Sequence, residues 1–234
     1  VANVNDAPSG SVTISGTAVE DGVLTAANTL TDEDGLGSFS YQWNRAGSAI
    51  SGATSASYEL VQSDVGSTIN VTATYTDGQG GAESVSSEST ESVVNVNDAP
   101  SGSVTISGTA VEDGVLTAAN TLTDEDGLGS FSYQWSRAGS AISGATSSSY
   151  ELVQSDVGST IKVTATYTDG QGGAESVSSE STESVVNVND APSGSVTISG
   201  TAVEDGVLTA ANTLTDEDGL GSFSYQWSRA GSAI

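Results

Sequence analysis

The chain has 234 residues, with 30 Asp and Glu against 4 Lys and Arg, a formal charge of −26, and no Cys, His or Met. Without thiols or imidazoles there is no Cys nucleophile, no His base, no Ser-His-Asp triad, no disulfide and no zinc site of the usual nitrogen and sulfur type. The acidic balance argues against nucleic acid as a partner, because phosphate binding needs clustered Lys and Arg, and no apolar run approaches the roughly 20 residues of a membrane span, so no direct membrane insertion is expected.

An internal repeat organises the chain. Pro8, Pro100 and Pro192 are spaced by 92 residues, each within the string Asn-Asp-Ala-Pro-Ser-Gly-Ser-Val-Thr-Ile. Sliding the sequence by 92 residues compares 142 positions, of which four differ: Ala2/Val94, Asn44/Ser136, Ala56/Ser148 and Asn70/Lys162. The expected division is a first repeat at 1–96, a second at 97–188 and an incomplete third at 189–234. A period this long exceeds the 20–50 residues of a solenoid unit, so each repeat is expected to carry its own core.

Along the first repeat the hydrophobic period is two, and no helical stripe is present. Val12-Thr-Ile14 marks a first strand (about 10–16) and Val23-Leu24 opens a second (22–30). In Phe39-Ser-Tyr41-Gln-Trp43 alternate aromatics mark the third (38–45), and a short fourth follows at 48–52. Tyr58-Glu-Leu60 gives the fifth (56–61), and Ile69-Asn-Val71-Thr-Ala73-Thr-Tyr75 the sixth (67–76). Val85 and Val93-Val94 fall in the last (82–96). Acidic and Gly-rich turns separate them, notably Glu20-Asp21-Gly22, Asp32-Glu33-Asp34-Gly35, Ser63-Asp64-Val65-Gly66 and Asp77-Gly78-Gln79-Gly80-Gly81. About seven strands per repeat predict an all-β, Greek-key, immunoglobulin-like sandwich, repeated in a linear array. Trp43 is then the core tryptophan, with Tyr58 and Tyr75 beside it.

The strings Tyr41-Gln-Trp-Asn-Arg-Ala-Gly47, Ile50-Ser-Gly-Ala-Thr54, Tyr58-Glu-Leu60, Asp64-Val-Gly66 and Thr74-Tyr-Thr-Asp-Gly78 resemble the bacterial Ig-like or cadherin-like extender repeats of giant Gram-negative surface adhesins. The resemblance implies secretion to the bacterial cell surface and a role in tethering cells in biofilms or to surfaces. Asn95-Val-Asn97-Asp98-Ala99-Pro100 also resembles the calcium-binding linker of cadherins, with Glu20 and Asp124-Glu-Asp126 where cadherins place further ligands. It departs in having Asn95 at the first linker position and only Asp64 before the sixth strand.

The residues make a parallel case for metal. In a seven-strand sandwich the first turn and the turn before the sixth strand share one pole, and the loops after the second and sixth strands share the other. At the first junction this brings Glu20, Asp21 and Asp64 toward Asn97, Asp98, Asp124, Asp126 and Asp169. At the second it gathers Glu112, Asp113, Asp156, Asn189, Asp190, Asp216 and Asp218. Packed carboxylates repel unless a cation intervenes. Oxygen donors without nitrogen or sulfur select hard ions, and ligands from separate loops suit the irregular shell of Ca²⁺. The plainer alternative is that acidic turns are solvated and keep the array soluble. Asp32, Asp34 and Asp77 are expected to bind an ion weakly or not at all, having no preceding repeat in this sequence.

Other motifs carry little. Gly78-Gln-Gly80-Gly81 reads as a hairpin turn rather than a phosphate loop, and Asn70-Val-Thr72 matches a glycosylation acceptor that Lys162 replaces in the second repeat. With every acid assigned to a turn, no catalysis is expected. Two functions remain: a calcium-stiffened spacer, whose partners are the neighbouring repeats, and a module that binds a surface carbohydrate or protein through avidity of its repeats. Exposed aromatic rings would favour the second. Residues 191–234 hold three strands only, so Val196, Ile198, Leu208, Phe223 and Trp227 are expected to face water. Either strands of a neighbouring molecule complete that half-repeat, or Ile234 is not a natural domain end.

Overall fold

The computed structural model describes residues 4–234. It divides into two compact units: Val1–Pro100 with Thr123–Gly129 and Thr168–Gly173, and Ser101–Leu122 with Ser130–Tyr167 and Ala174–Ile234. The loops that follow the second and sixth strands of the second repeat thus belong with the first unit.

In the first unit, β1 (Val12–Ser15), β2 (Val23–Asn28) and β5 (Ser57–Glu59) form an antiparallel sheet in the order β1-β2-β5. β3 (Ser40–Arg45), β4 (Ser48–Ala49), β6 (Ile69–Thr76) and β7 (Ala82–Ser86) form a second, ordered β4-β3-β6-β7. This is the seven-strand immunoglobulin-like sandwich. On β6 the alternation is direct: Ile69, Val71, Ala73 and Tyr75 are buried while the residues between them are not. The register Trp43↔Val71 and Tyr41↔Ala73 puts β3 and β6 side chains on one inner face. Trp43 is fully buried, stacks on Tyr58 at 5.8 Å between centroids and 28° between planes, and donates its indole N–H to Ser55 O at 2.9 Å. Phe39 meets Tyr75 edge-on at 5.2 Å. Burying large apolar side chains such as Leu24, Leu60 and Ile69 stabilises the fold by about 1.5–3 kcal/mol each.

The expected last strand, 82–96, is shorter than its hydrophobic pattern suggests. β7 stops at Ser86, and the hydroxyl oxygens of Ser87 and Thr90 then accept from Val71 N–H at 3.1 Å and Ile69 N–H at 3.0 Å. Hydroxyls replace carbonyls in the ladder and bend the strand away, as Ser and Thr do when they compete with the backbone. Val93 and Val94 rejoin through single parallel bridges to Val65 and Val19.

In the second unit the pattern recurs. β8 (Val104–Ser107), β9 (Val115–Asn120) and β12 (Ser149–Glu151) form one sheet. β10 (Ser132–Arg137), β11 (Ser140–Ala141), β13 (Ile161–Thr168) and β14 (Ala174–Ser178) form the other, around the fully buried Trp135.

The half-repeat forms two hairpins, β15 (Val196–Ser199) with β16 (Thr209–Asn212) and β17 (Ser228–Arg229) with β18 (Ser232–Ala233). Val196 is 58% exposed where Val12 is 4%, and Leu208 40% where Leu24 is 0%. Ile198 and Phe223 are exposed as expected, whereas Trp227 is half-buried. The third strand is shorter than sequence suggests because β3 is held along its length by β6, and residues 191–234 have no such partner among the described residues. β16 likewise lacks Val207 and Leu208, whose counterparts on β2 pair with β5.

Candidate metal centres

Each cluster starts from a turn. Asp21 and Asp113 take left-handed φ of 59° and 62°, a conformation Asp tolerates better than most residues. The turn leaves Glu20 and Glu112 buried at its inner side, each 3% exposed. Glu20 Oε2 accepts from Val96 N–H at 3.2 Å, and Glu112 Oε2 from Val188 N–H at 3.1 Å. Two residues along the linker, Asp98 N–H donates to Asp126 Oδ2 at 2.8 Å. Asp126 is itself held by its N–H donating to Asp124 Oδ1 at 2.9 Å. Oxygens of Glu20, Asp98 and Asp126, all in the first unit, consequently lie within 4.8 Å of one another. A second group, Glu112, Asp190 and Glu217, lies in the second unit with the same spread.

The electrostatics are unfavourable as they stand. Burial pushes the Glu20 carboxyl above its ordinary value of 4.5; the Val96 N–H opposes this, and Asp98, Asp126 and Asp21 add to it. Asp98 is raised by burial first, then by Asp126, Asp21 and Asp124, and Asp190 by burial, then Asp113, Asp218 and Asp216. Among the described residues five buried side-chain atoms accept or donate no hydrogen bond: Gln62 Oε1, Asp77 Oδ2, Asn95 Oδ1, Asp126 Oδ1 and Asp169 Oδ2. All five are oxygens, so what is missing is positive charge or donors. Asp126, only 4% exposed and one of the first cluster's three residues, carries such an atom. An all-oxygen set with a spare buried carboxylate oxygen fits a hard cation of the calcium or magnesium type.

Of the sequence-predicted ligands, Glu20, Asp98 and Asp126 meet directly, as do Glu112 and Asp190. Asp21 and Asp113 contribute charge to the neighbouring linker carboxylates. Asp124 and Asp216 orient the following Asp through its N–H, and Asp218 Oδ2 accepts from Asp190 N–H at 2.8 Å. Asp169 is buried beside Asn97, and the Asn189 amide donates to Asp190 O.

Asp64 and Asp156 are corrected. Asp64 is fully buried, with Oδ1 accepting from Arg45 Nε at 2.6 Å and Oδ2 from Tyr58 OH at 2.9 Å and Val61 N–H at 3.0 Å. Asp156 repeats this with Arg137, Tyr150 and Val153. Both carboxylates serve the fold, and the hydrogen bond to Asp64 raises the Arg45 guanidinium further.

Sequence reasoning missed Glu217, where it named Asp218, and it grouped Asp32 and Asp77 with Asp34 as a weak site, where the structure sets them with Glu83. It also passed over Gln154, whose amide lies against Glu112; turned about its last bond, that amide donates to both Glu112 oxygens.

The sequence matches no protein-family model and no curated protein. The chain is also similar to solved structures, among them these three. The N-terminal three domains of the outer capsid protein Hoc of bacteriophage RB49 share 15% identity over 88% of this chain and 70% of that one, with a TM-score of 0.29. A tetra-tandem repeat from the extending region of a large adhesion protein shares 21% over 92% of this chain and 65% of that one, TM-score 0.28. The first three fibronectin domains of chicken CNTN1 share 13% over 90% and 89%, TM-score 0.25.

Proposed function

We propose that this chain is a calcium-loaded extender segment of a bacterial cell-surface adhesin, a non-catalytic spacer that carries a distal binding region away from the cell. The observation that carries the reading is the Glu20–Asp98–Asp126 cluster, with Asp126 Oδ1 buried and without a donor. Bound there, calcium would offset the repulsion among three carboxylates. Glu20 and Asp126 also hold the linker backbone at Val96 and Asp98. Neutralising them would therefore stiffen the segment that joins one repeat to the next. Glu112 and Asp190, with Glu217, would serve the following linker in the same way.

The recognition alternative gains little from the aromatics. Among the described residues of the complete repeats no Trp, Tyr or Phe is exposed; the exposed rings are Phe223 and Tyr225 of the half-repeat. The test is calorimetric titration of the chelator-stripped chain with calcium chloride, together with small-angle scattering with and without the ion. Calcium should narrow the distribution of interatomic distances at large separation, and Asp98→Ala should abolish that change. Scattering that ignores calcium would defeat the reading.

A further inference from the structure

We propose a second and self-contained calcium site at the opposite pole of the first repeat, with Asn5, Asp32, Asp77 and Glu83 as its oxygen donors. It rests on the reading above for the choice of calcium alone, since no residue of the Glu20 cluster takes part. Oxygens of Asp32, Asp77 and Glu83, from the loop before β3, the turn after β6 and β7 itself, lie within 4.8 Å of one another.

The surrounding hydrogen bonds aim these groups and leave one atom bare. Asp77 Oδ1 accepts from Gln79 N–H and Gly81 N–H, each at 2.8 Å, which fixes the carboxylate plane. Its Oδ2 accepts nothing, although Asp77 is only 6% exposed. Asp32 is held by Tyr75 OH at 2.6 Å on one oxygen and Asp34 N–H at 2.9 Å on the other. The Asn5 amide nitrogen donates to Glu83 Oε1 at 2.7 Å, which turns the Asn5 oxygen the other way, toward Gly81.

Gly81 shows where the oxygens converge. A Cβ added to it would collide with Asn5 Oδ1 and Asp77 Oδ2 together. Its φ is not positive, so glycine is needed here for space and not for backbone freedom. The same cradle occurs at Gly173, where an added Cβ would meet Asn97 Oδ1 and Asp169 Oδ2. Asp169 is 7% exposed, binds Gln171 and Gly173 N–H through Oδ1 and leaves Oδ2 bare. Two oxygens forced over a glycine, one of them a buried carboxylate oxygen without a donor, are arranged for a cation rather than for each other. Three carboxylates and one neutral amide, completed by water, suit the six to eight oxygens that calcium accepts.

The experiment is calorimetric titration of the chelator-stripped 234-residue chain with calcium chloride, comparing Gly81→Ala, Asp77→Asn and Asp98→Asn. Gly81→Ala fills the cradle without backbone strain and should lose one bound ion; Asp77→Asn should weaken the same ion by tenfold or more, on the order seen when a metal site loses a supporting group. Asp98→Asn should lose a different ion, and combining it with Gly81→Ala should lose both. Melting in chelator shows whether Gly81→Ala folds, and Asp77→Asn carries the test where it does not. Unchanged binding in both pole variants overturns the site while leaving the junction reading intact. Loss of the same ion by Asp98→Asn and Gly81→Ala overturns its independence. Loss at the pole with no effect of Asp98→Asn upholds the site and defeats the junction reading, and absence of any calcium heat defeats both.

Discussion

Replacing Arg45 by Met should split the thermal unfolding of this chain in two. Arg45 Nε donates to Asp64 Oδ1 at 2.6 Å, the Asp64 side chain is wholly buried, and Arg45 keeps 30% of its side-chain surface. Removing one partner of a buried ion pair costs about 3–5 kcal/mol, because the other charge stays behind without compensation. Two features reduce that figure. Asp64 retains the Tyr58 hydroxyl and the Val61 N–H, and solvent screens the partly exposed Arg45. About 2–3 kcal/mol is left, which for a domain of this size lowers Tm by roughly 10–20 °C. Since Arg137–Asp156 is the same pair in the second repeat, that repeat is an internal control. Calorimetry should show one transition moved down and one in place. Replacing both residues, Arg45→Met with Asp64→Leu, should recover much of the loss, since a well-packed apolar pair can match a buried ion pair. The reasoning fails if Arg45→Met melts like the parent. It also fails if Asp64→Asn keeps full stability in chelator yet loses a calcium ion, which would return Asp64 to the ligand set.

Three further outcomes are expected. In chelator, lowering the pH from neutral toward the ordinary carboxylate range should raise Tm. The folded-state values of Glu20, Asp98 and Asp190 lie above their unfolded ones, so the native state takes up protons first and stability falls as pH rises through that window; saturating calcium should erase the gain, which a melting series at several pH values checks. Asp98→Asn should stabilise the calcium-free chain while weakening calcium binding, a sign split measurable by melting and titration on the same sample. Ser87→Ala removes the acceptor of Val71 N–H and should cost about 1–2 kcal/mol by denaturant titration, more than a surface Ser normally does.

Most of the fold was legible because burial imposes a period of two. The alternation through Ile69, Val71, Ala73 and Tyr75 corresponds residue for residue to what the sandwich encloses. The last strand was overextended because an outward Ser and a Ser that replaces a backbone acceptor read alike; only the contacts of Ser87 and Thr90 separate them. Asp64 was misread for a related reason. Its acidic turn looks like its neighbours, and the partner that claims it lies 19 residues earlier on another strand. A signal existed: with 4 basic residues in the whole chain, an Arg placed at the same point of each repeat needs an anionic partner. The pole group was incomplete through Glu83, a charged residue that shares the inward parity of Val85 on β7, and through Gly81, which reads as turn chemistry although an added Cβ there would collide with two oxygens.

Under the proposed reading, the placement of the acids would let such an array lengthen without redesign. Each full repeat carries a buried Glu in its first turn with the following linker Asp beside it, Glu20 with Asp98 and Glu112 with Asp190, while the third carboxylate differs, Asp126 in one set and Glu217 in the other. A ligand shared across a boundary between different domains would need two surfaces to change together; between near-identical repeats one sequence supplies both. The four differing positions spare every residue of these clusters. Two of them, Asn44 and Asn70, face each other across the β3–β6 ladder, and their counterparts Ser136 and Lys162 do the same across β10–β13. That pair varies together across a ladder, whereas Ala2/Val94 varies beside the first turn, where Val94 O accepts from Glu20 N–H at 2.9 Å, and there the change leaves every carboxylate in place.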